Sequence, residues 1–133
     1  MRHPLLLALL IAPLATAASG CVALAAGAAG GLLISQEVLK GHVHVAHIHA
    51  DVDQVWPAAQ STMTTLSIEA PEIVEYPRTI KGKVHGADVL LEVEAYDMNH
   101  TVVRIDAKKY MVGDSETAEH IMQNLLERLE RSR

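Results

Sequence analysis

Phenylalanine is missing from this chain of 133 residues, and only one tryptophan and three tyrosines supply aromatic rings. Proteins that bind single-stranded nucleic acid stack bases on such rings, and proteins that bind any nucleic acid neutralise phosphates with a basic surface. This chain instead carries a formal net charge of −5 at pH 7. The shortage of aromatic rings and the acidic balance together argue against a nucleic-acid partner.

Cysteine is almost absent, since Cys21 is the only one. Small exported domains that depend on disulfides carry an even set of cysteines. A disulfide framework within the chain is therefore excluded, and the position of Cys21 needs another explanation.

The sequence also lacks the spacings that mark common catalytic sites. It contains no phosphate-binding loop, no paired-histidine zinc-protease motif and no nucleophile elbow. Glu92 and Glu94 are two carboxylates two positions apart, but a charged sheet face explains them better than acid–base chemistry. We expect a protein that is not an enzyme.

The N-terminus has the three parts of a secretory signal. Arg2 supplies a positive charge, residues 5–12 form an apolar run, and small residues lead up to Cys21. We expect residues 1–20 to be a signal peptide.

Ser19-Gly20-Cys21 resembles the end of the lipobox of bacterial lipoproteins, with Ala18 where that family prefers leucine. The resemblance implies that diacylglycerol is attached to the Cys21 sulfur, that the chain is cut before this residue and that the new amino group is acylated. Two or more acyl chains hold a protein on a membrane without a spanning helix. Val22, in place of aspartate, implies sorting to the outer membrane, facing the periplasm.

Two alternatives for this segment stay open. An ordinary signal peptidase could cut after Ala17 or Ala18, or the segment could remain as an uncleaved anchor. The second is long enough to span a bilayer, since no charge occurs between Arg2 and Glu37.

The stretch that follows, residues 22–34, is small and apolar. Gly27 and Gly31 stand four apart, which on a helix gives a smooth face for close packing in a membrane. The alternative is a flexible tether. We therefore divide the chain into a signal peptide (1–20), a lipidated cysteine with a Gly/Ala-rich membrane-proximal segment (21–40) and a folded domain (41–133).

Residues 41–49 alternate with a period of two, which predicts a strand. Val45 and Ile48 fall on opposite faces of that strand, so we expect a bulge near Ala46 that turns all its histidines outward. The strand carries four: His42, His44, His47 and His49.

Two pairs of these imidazoles could bind metal. Each His-x-His pair would project from one strand face, and imidazoles bind zinc and copper. A carboxylate such as Asp51 would complete the set. The alternative is a polar strand face that happens to use histidine, with no cofactor.

Apolar residues at helical spacing predict two helices. One starts after Asp51, an N-cap residue, and the other after Asp114 and Ser115. The first stripe contains Val52, Val55, Trp56, Ala59, Met63 and Leu66, and the second contains Ala118, Ile121, Met122, Leu125, Leu126 and Leu129.

Between the helices, alternating segments predict four strands: an irregular edge strand within 67–76, then 79–84, 87–96 and 101–109. With the histidine strand this gives the order βαββββα. The expected fold class is α+β: a two-layer sandwich with an antiparallel sheet of about five strands and both helices on one face. Charged residues alternate on the other face and would form a cross-strand ladder.

The lipobox, the Gly/Ala-rich segment, the helix start Asp51-Val52-Asp53-Gln54-Val55-Trp56 and the strand run together resemble one family. It is the small bacterial lipoproteins of domain-of-unknown-function family 3568. The resemblance implies an envelope lipoprotein and assigns no catalytic residues.

We therefore expect a structural or interaction module, lipid-anchored by Cys21, with the membrane and an envelope protein as partners. The first alternative is a histidine-rich lipoprotein that binds zinc or copper. The second, by analogy of fold alone, binds an apolar ligand between helices and sheet.

Overall fold

The computed structural model describes residues 31–133, which form seven strands and two helices. In chain order these are β1 (Leu33–Leu39), β2 (Val43–Ile48), α1 (Val52–Leu66), β3 (Glu72–Glu75), β4 (Arg78–Val84), β5 (Ala87–Asp97), β6 (His100–Lys109), β7 (Val112–Gly113) and α2 (Ser115–Arg131). The signal peptide and the lipidation site predicted at Cys21 lie outside the described residues.

The strands form one antiparallel sheet in the order β1-β2-β6-β5-β4-β3, and β7 pairs with β6. Both helices pack on the same face of this sheet and against each other. The predicted α+β architecture is confirmed, and the sheet has two strands more than the five expected. The additional strands are β1, which lies upstream of the domain boundary drawn at residue 41, and the two-residue β7.

The core lies between the helices and one face of the sheet. Alternate residues of each central strand point into it, as the pleat requires. In β5 and β6 these are Ala87, Val89, Leu91, Val93, Val103, Ile105 and Ala107. The six apolar residues predicted for the stripe of α2 are all buried, and four of the six predicted for α1 are buried, with Val52 and Leu66 partly so.

Both helices begin where capping chemistry predicts. The Asp51 carboxylate accepts a hydrogen bond from the backbone N–H of Asp53 at 2.6 Å. Asp114 does the same for Thr117 at 3.1 Å and also accepts from the Thr117 hydroxyl at 2.8 Å. These side chains satisfy donors that the first helical turn leaves without partners.

The expected bulge in β2 is wrong. β2 pairs with β6 in an unbroken register from Val43 opposite Asp106 to Ile48 opposite Thr101. β2 lies between two other strands and is buried on both faces, with Val45 3% exposed on one and Ala46 fully buried on the other. Apolar residues therefore need not share a face, and the bulge occurs instead in β1, between Leu33 and Ser35.

The other sheet face is charged, and the predicted ladder is present in part. Arg104 and Glu92 stand opposite each other, with Nε and Oε2 3.8 Å apart. Lys83 pairs with Asp88 across the β4–β5 hairpin at 3.6 Å. Glu94, however, lies opposite Val102 rather than a basic residue.

Candidate functional site: the histidines of strand β2

The four histidines predicted as metal ligands do not converge. His44 and His47 lie on opposite faces of β2, because they are an odd number of residues apart in a regular strand. His42 precedes the strand and His49 follows it. The expectation that all four face outward is wrong, because His44 is only 3% exposed and points towards the helices.

His44 connects the sheet to the start of α2. Its Nδ1 lies 3.3 Å from Nε2 of Gln36 in β1, and its Nε2 lies 2.8 Å from the hydroxyl of Ser115, the first residue of α2. An amide N–H can only donate, so Nδ1 accepts, and the imidazole proton is on Nε2 and is donated to Ser115. Both ring nitrogens are used within the fold and neither is free for a metal.

Burial determines the charge state of His44. Removal from water lowers the pKa of this imidazole below its ordinary 6.5, although the negative charge of Glu119 and a hydrogen bond with the Ser115 backbone act in the opposite direction. Desolvation disfavours the protonated ring. His44 is therefore a neutral structural histidine at neutral pH.

His47 forms a pair with His100, which lies outside the four predicted metal ligands. Its Nδ1 lies 2.9 Å from Nε2 of His100, at the start of β6. The other nitrogen of His100, Nδ1, is 4.0 Å from a carboxylate oxygen of Asp97, and the Tyr96 ring lies 4.6 Å from the His100 ring. His100 could have been found from the strand order, because it becomes a diagonal neighbour of His47 on the same face once β2 is placed beside β6.

The remaining two histidines have separate surroundings. His42 lies with Nδ1 2.9 Å from the Lys40 carbonyl and Nε2 3.5 Å from Asp106, and its ring occupies the space beside Gly113. His49 is exposed after the end of β2. Asp51, the carboxylate expected to complete a metal set, is occupied as the N-cap of α1.

A second pair of imidazoles lies at the opposite end of the sheet. The rings of His85, in the β4–β5 turn, and His120, on α2, are 5.1 Å apart. They line an open cleft of about 490 Å³ together with Lys109, Asp114 and Glu119 among others. The mixed charges of these walls do not select a ligand of one sign.

Metal chemistry has limited support within residues 31–133. No group of three or more His, Cys, Asp or Glu side chains in this range is arranged to hold an ion. The His47–His100 pair supplies two nitrogens that face each other, which can share a proton or, after the rings turn, bind one ion.

Within residues 31–133, neither helix has the combination of length and hydropathy that crossing a bilayer requires.

Comparison with protein-family models matches residues 4–128 to the protein of unknown function family DUF3568. The chain belongs to DUF3568. The match confirms the family suggested by the helix start at Asp51–Trp56 and the strand run. It extends over nearly all of the described domain. A search of curated protein sequences found no match.

Proposed function

We propose that this DUF3568 protein is a non-enzymatic lipoprotein of the bacterial envelope, attached by acyl chains on Cys21, whose domain contacts an envelope partner. The observation that carries the proposal is the position of Ser19-Gly20-Cys21 directly after an apolar run with a positive start. Acyl chains contribute about 0.8 kcal/mol per buried methylene, so two or three of them give a stable anchor.

The position of β1 limits how far the domain can lie from such an anchor. Leu33, the first residue of β1, follows Cys21 by twelve positions. Twelve fully extended residues span at most about 40 Å. The domain would therefore stay close to the membrane surface, where its partner is to be sought.

Metabolic labelling with an alkyne analogue of palmitate tests the anchor. We expect the full chain to be labelled and to sediment with membranes, and the Cys21→Ser variant to be unlabelled. Ser19→Ala is the matched control, since alanine keeps the small residue and should keep the label. Equal labelling of Cys21→Ser, or an unlabelled wild-type chain, would refute lipidation at this position.

Separation of inner from outer membranes tests the location. We expect the wild-type chain in the outer membrane, and Val22→Asp should move it to the inner membrane if the sorting rule implied by the lipobox resemblance applies. A wild-type chain that stays in the inner membrane would show that the location is wrong while leaving the anchor intact.

A second candidate function is metal binding, and the His47–His100 pair is the observation that favours it. Zn–N bonds of about 2.0–2.1 Å at tetrahedral angles place two ligand nitrogens about 3.3 Å apart. The observed separation of 2.9 Å is close to that value. Small ring rotations would direct both nitrogens at one ion, with water as the remaining ligands.

Titration of the detergent-solubilised full chain with zinc and copper tests this candidate. We expect His47→Ala and His100→Ala each to weaken binding at least tenfold, while His49→Ala leaves it unchanged. Equal loss in His47→Ala and His49→Ala would instead favour the sequential His-x-His pair. A wild-type chain without saturable binding would eliminate the candidate.

A further inference from the structure

The two edges of the sheet differ in how well they are protected. Edge strands expose unpaired N–H and C=O groups, and proteins guard them by shortness and by charge. β3, at one edge, has four residues and begins and ends with glutamate. β1, at the other edge, has seven residues with a single charge, Glu37, and no strand of the described range pairs with its outer side.

Two apolar side chains on the unprotected edge are exposed. Ile34 is 54% exposed and Val38 is 44% exposed. They stand two residues on either side of Gln36, which is the middle residue of β1. This symmetric placement matters because a strand that pairs with a second copy of itself in antiparallel orientation is symmetric about one residue.

We propose that two copies of this protein form a symmetric dimer by antiparallel pairing of β1 with β1, centred on Gln36. In that register Ile34 of each copy lies opposite Val38 of the other. Cross-strand neighbours lie with Cβ atoms about 4.5–5.5 Å apart, so the exposed apolar groups cover each other. The contact is isologous and closes after two copies.

The charges of β1 are compatible with this register. Glu37 lies opposite Ser35 of the second copy, so the glutamates of the two strands do not oppose each other. Five residues of each copy, from Ile34 to Val38, pair in this register. Ile34 itself lies at the bulge between Leu33 and Ser35, so it forms the last pair of the register and the pairing does not extend further.

Light scattering of the detergent-solubilised full chain, corrected for bound detergent, tests the dimer. We expect the mass of two chains for the wild type and of one chain for Val38→Lys, because the register places lysine against apolar Ile34. Ile73→Lys is the matched control: Ile73 is 40% exposed on the other edge strand, and its substitution should leave the dimer intact.

Engineered disulfides test the register itself. The double variant Ile34→Cys/Val38→Cys should form covalent dimers under mild oxidation, because each new cysteine faces its complement in the second copy. Val38→Cys alone should not, since the two substituted positions would be four residues apart along the strands, about 13 Å, beyond the reach of a disulfide. The wild-type chain reports any cross-link through Cys21.

A monomeric wild type overturns the proposal, and so does a dimer that Ile73→Lys disrupts and Val38→Lys does not. If both lysine variants lose the dimer through misfolding, shown by circular dichroism, the cysteine variants decide. Cross-linking by the double variant alone supports the register, and its absence refutes it.

Discussion

His44 and Ser115 are 71 residues apart in the chain and 2.8 Å apart in the fold, where the buried imidazole donates a hydrogen bond to the hydroxyl that begins α2. Because burial lowers the pKa of His44, the folded state binds its proton less readily than the unfolded state does. The contribution of the neutral, buried His44 to the free energy of unfolding is complete above pH 6.5, the ordinary pKa of histidine. This contribution is lost as the pH falls from 6.5 towards the lower folded-state pKa.

This coupling predicts the pH dependence of a variant. The free energy of unfolding of the wild type should fall between pH 7.5 and pH 5.5, and the fall should be smaller in His44→Gln, whose amide does not titrate. Urea unfolding followed by circular dichroism at several pH values measures both curves. His49→Gln, at an exposed position, should behave as the wild type; parallel curves for wild type and His44→Gln would contradict the assignment.

The second prediction concerns the hydrogen bond between Trp56 and Glu75, which we expect to stabilise the fold. The indole N–H of Trp56, a side chain only 6% exposed, donates to the Glu75 carboxylate at 2.8 Å. Glu75→Ala leaves that donor without its partner, and we expect a loss of about 1–2 kcal/mol in the free energy of unfolding. Glu75→Gln keeps an acceptor and should lose less, and Glu72→Ala on the same strand is the neutral control. Equal effects of the alanine changes at 72 and 75 would argue against the hydrogen bond.

The third prediction concerns the stability that the Asp114 cap gives to the start of α2. Removal of the cap by Asp114→Ala should lower the free energy of unfolding by about 1 kcal/mol, and Asp114→Asn should retain most of the stabilisation that the cap provides. Hydrogen bonds from the Thr117 hydroxyl and then from its backbone N–H lower the pKa of Asp114 below the ordinary 3.8. The ionised carboxylate therefore stabilises the folded state above pH 3.8, and this stabilisation is lost as the pH falls through the lower folded-state pKa. Thermal melts of the three proteins at pH 7 and at strongly acidic pH should show the difference at neutral pH and its decrease in acid.

The fourth prediction concerns the close packing of side chains around Gly82. A methyl group added there would lie 2.6 Å from Ser67 Oγ and 3.0 Å from Met63 Cε. Gly82→Ala should destabilise the protein by about 1–3 kcal/mol, the usual cost of overpacking. Ser67 Oγ is buried without a hydrogen-bond partner among the described residues, so Ser67→Ala should cost little and should reduce the effect of Gly82→Ala in the double variant. Additive losses would show that Ser67 is not the obstacle.

Local signals predicted the parts of the fold that depend on local chemistry. The α2 stripe and the Asp114 cap could be located from spacing and residue type, since both are set within one helix. β1 could not, because Ser35, Gln36 and Glu37 show no apolar alternation in a strand that is open at one edge.

The candidate site was harder to predict because it depends on which strands are neighbours. The bulge expected near Ala46 would have turned all the histidines of this strand to one face, but β2 is regular and is buried on both faces. The partner of His47 is His100, 53 positions away, and only the pairing of β2 with β6 brings the two together. The pattern near His44 gave no sign that this imidazole contacts Ser115.

The burial of Trp56 has a practical consequence. It is the only tryptophan in the chain, and its indole lies between α1 and the acidic end of β3. Intrinsic fluorescence excited at the red edge of the absorption band therefore comes from one site inside the domain. The emission wavelength of the purified protein reports whether that site is dry, even when the protein is reconstituted in lipid vesicles, and no dye needs to be attached.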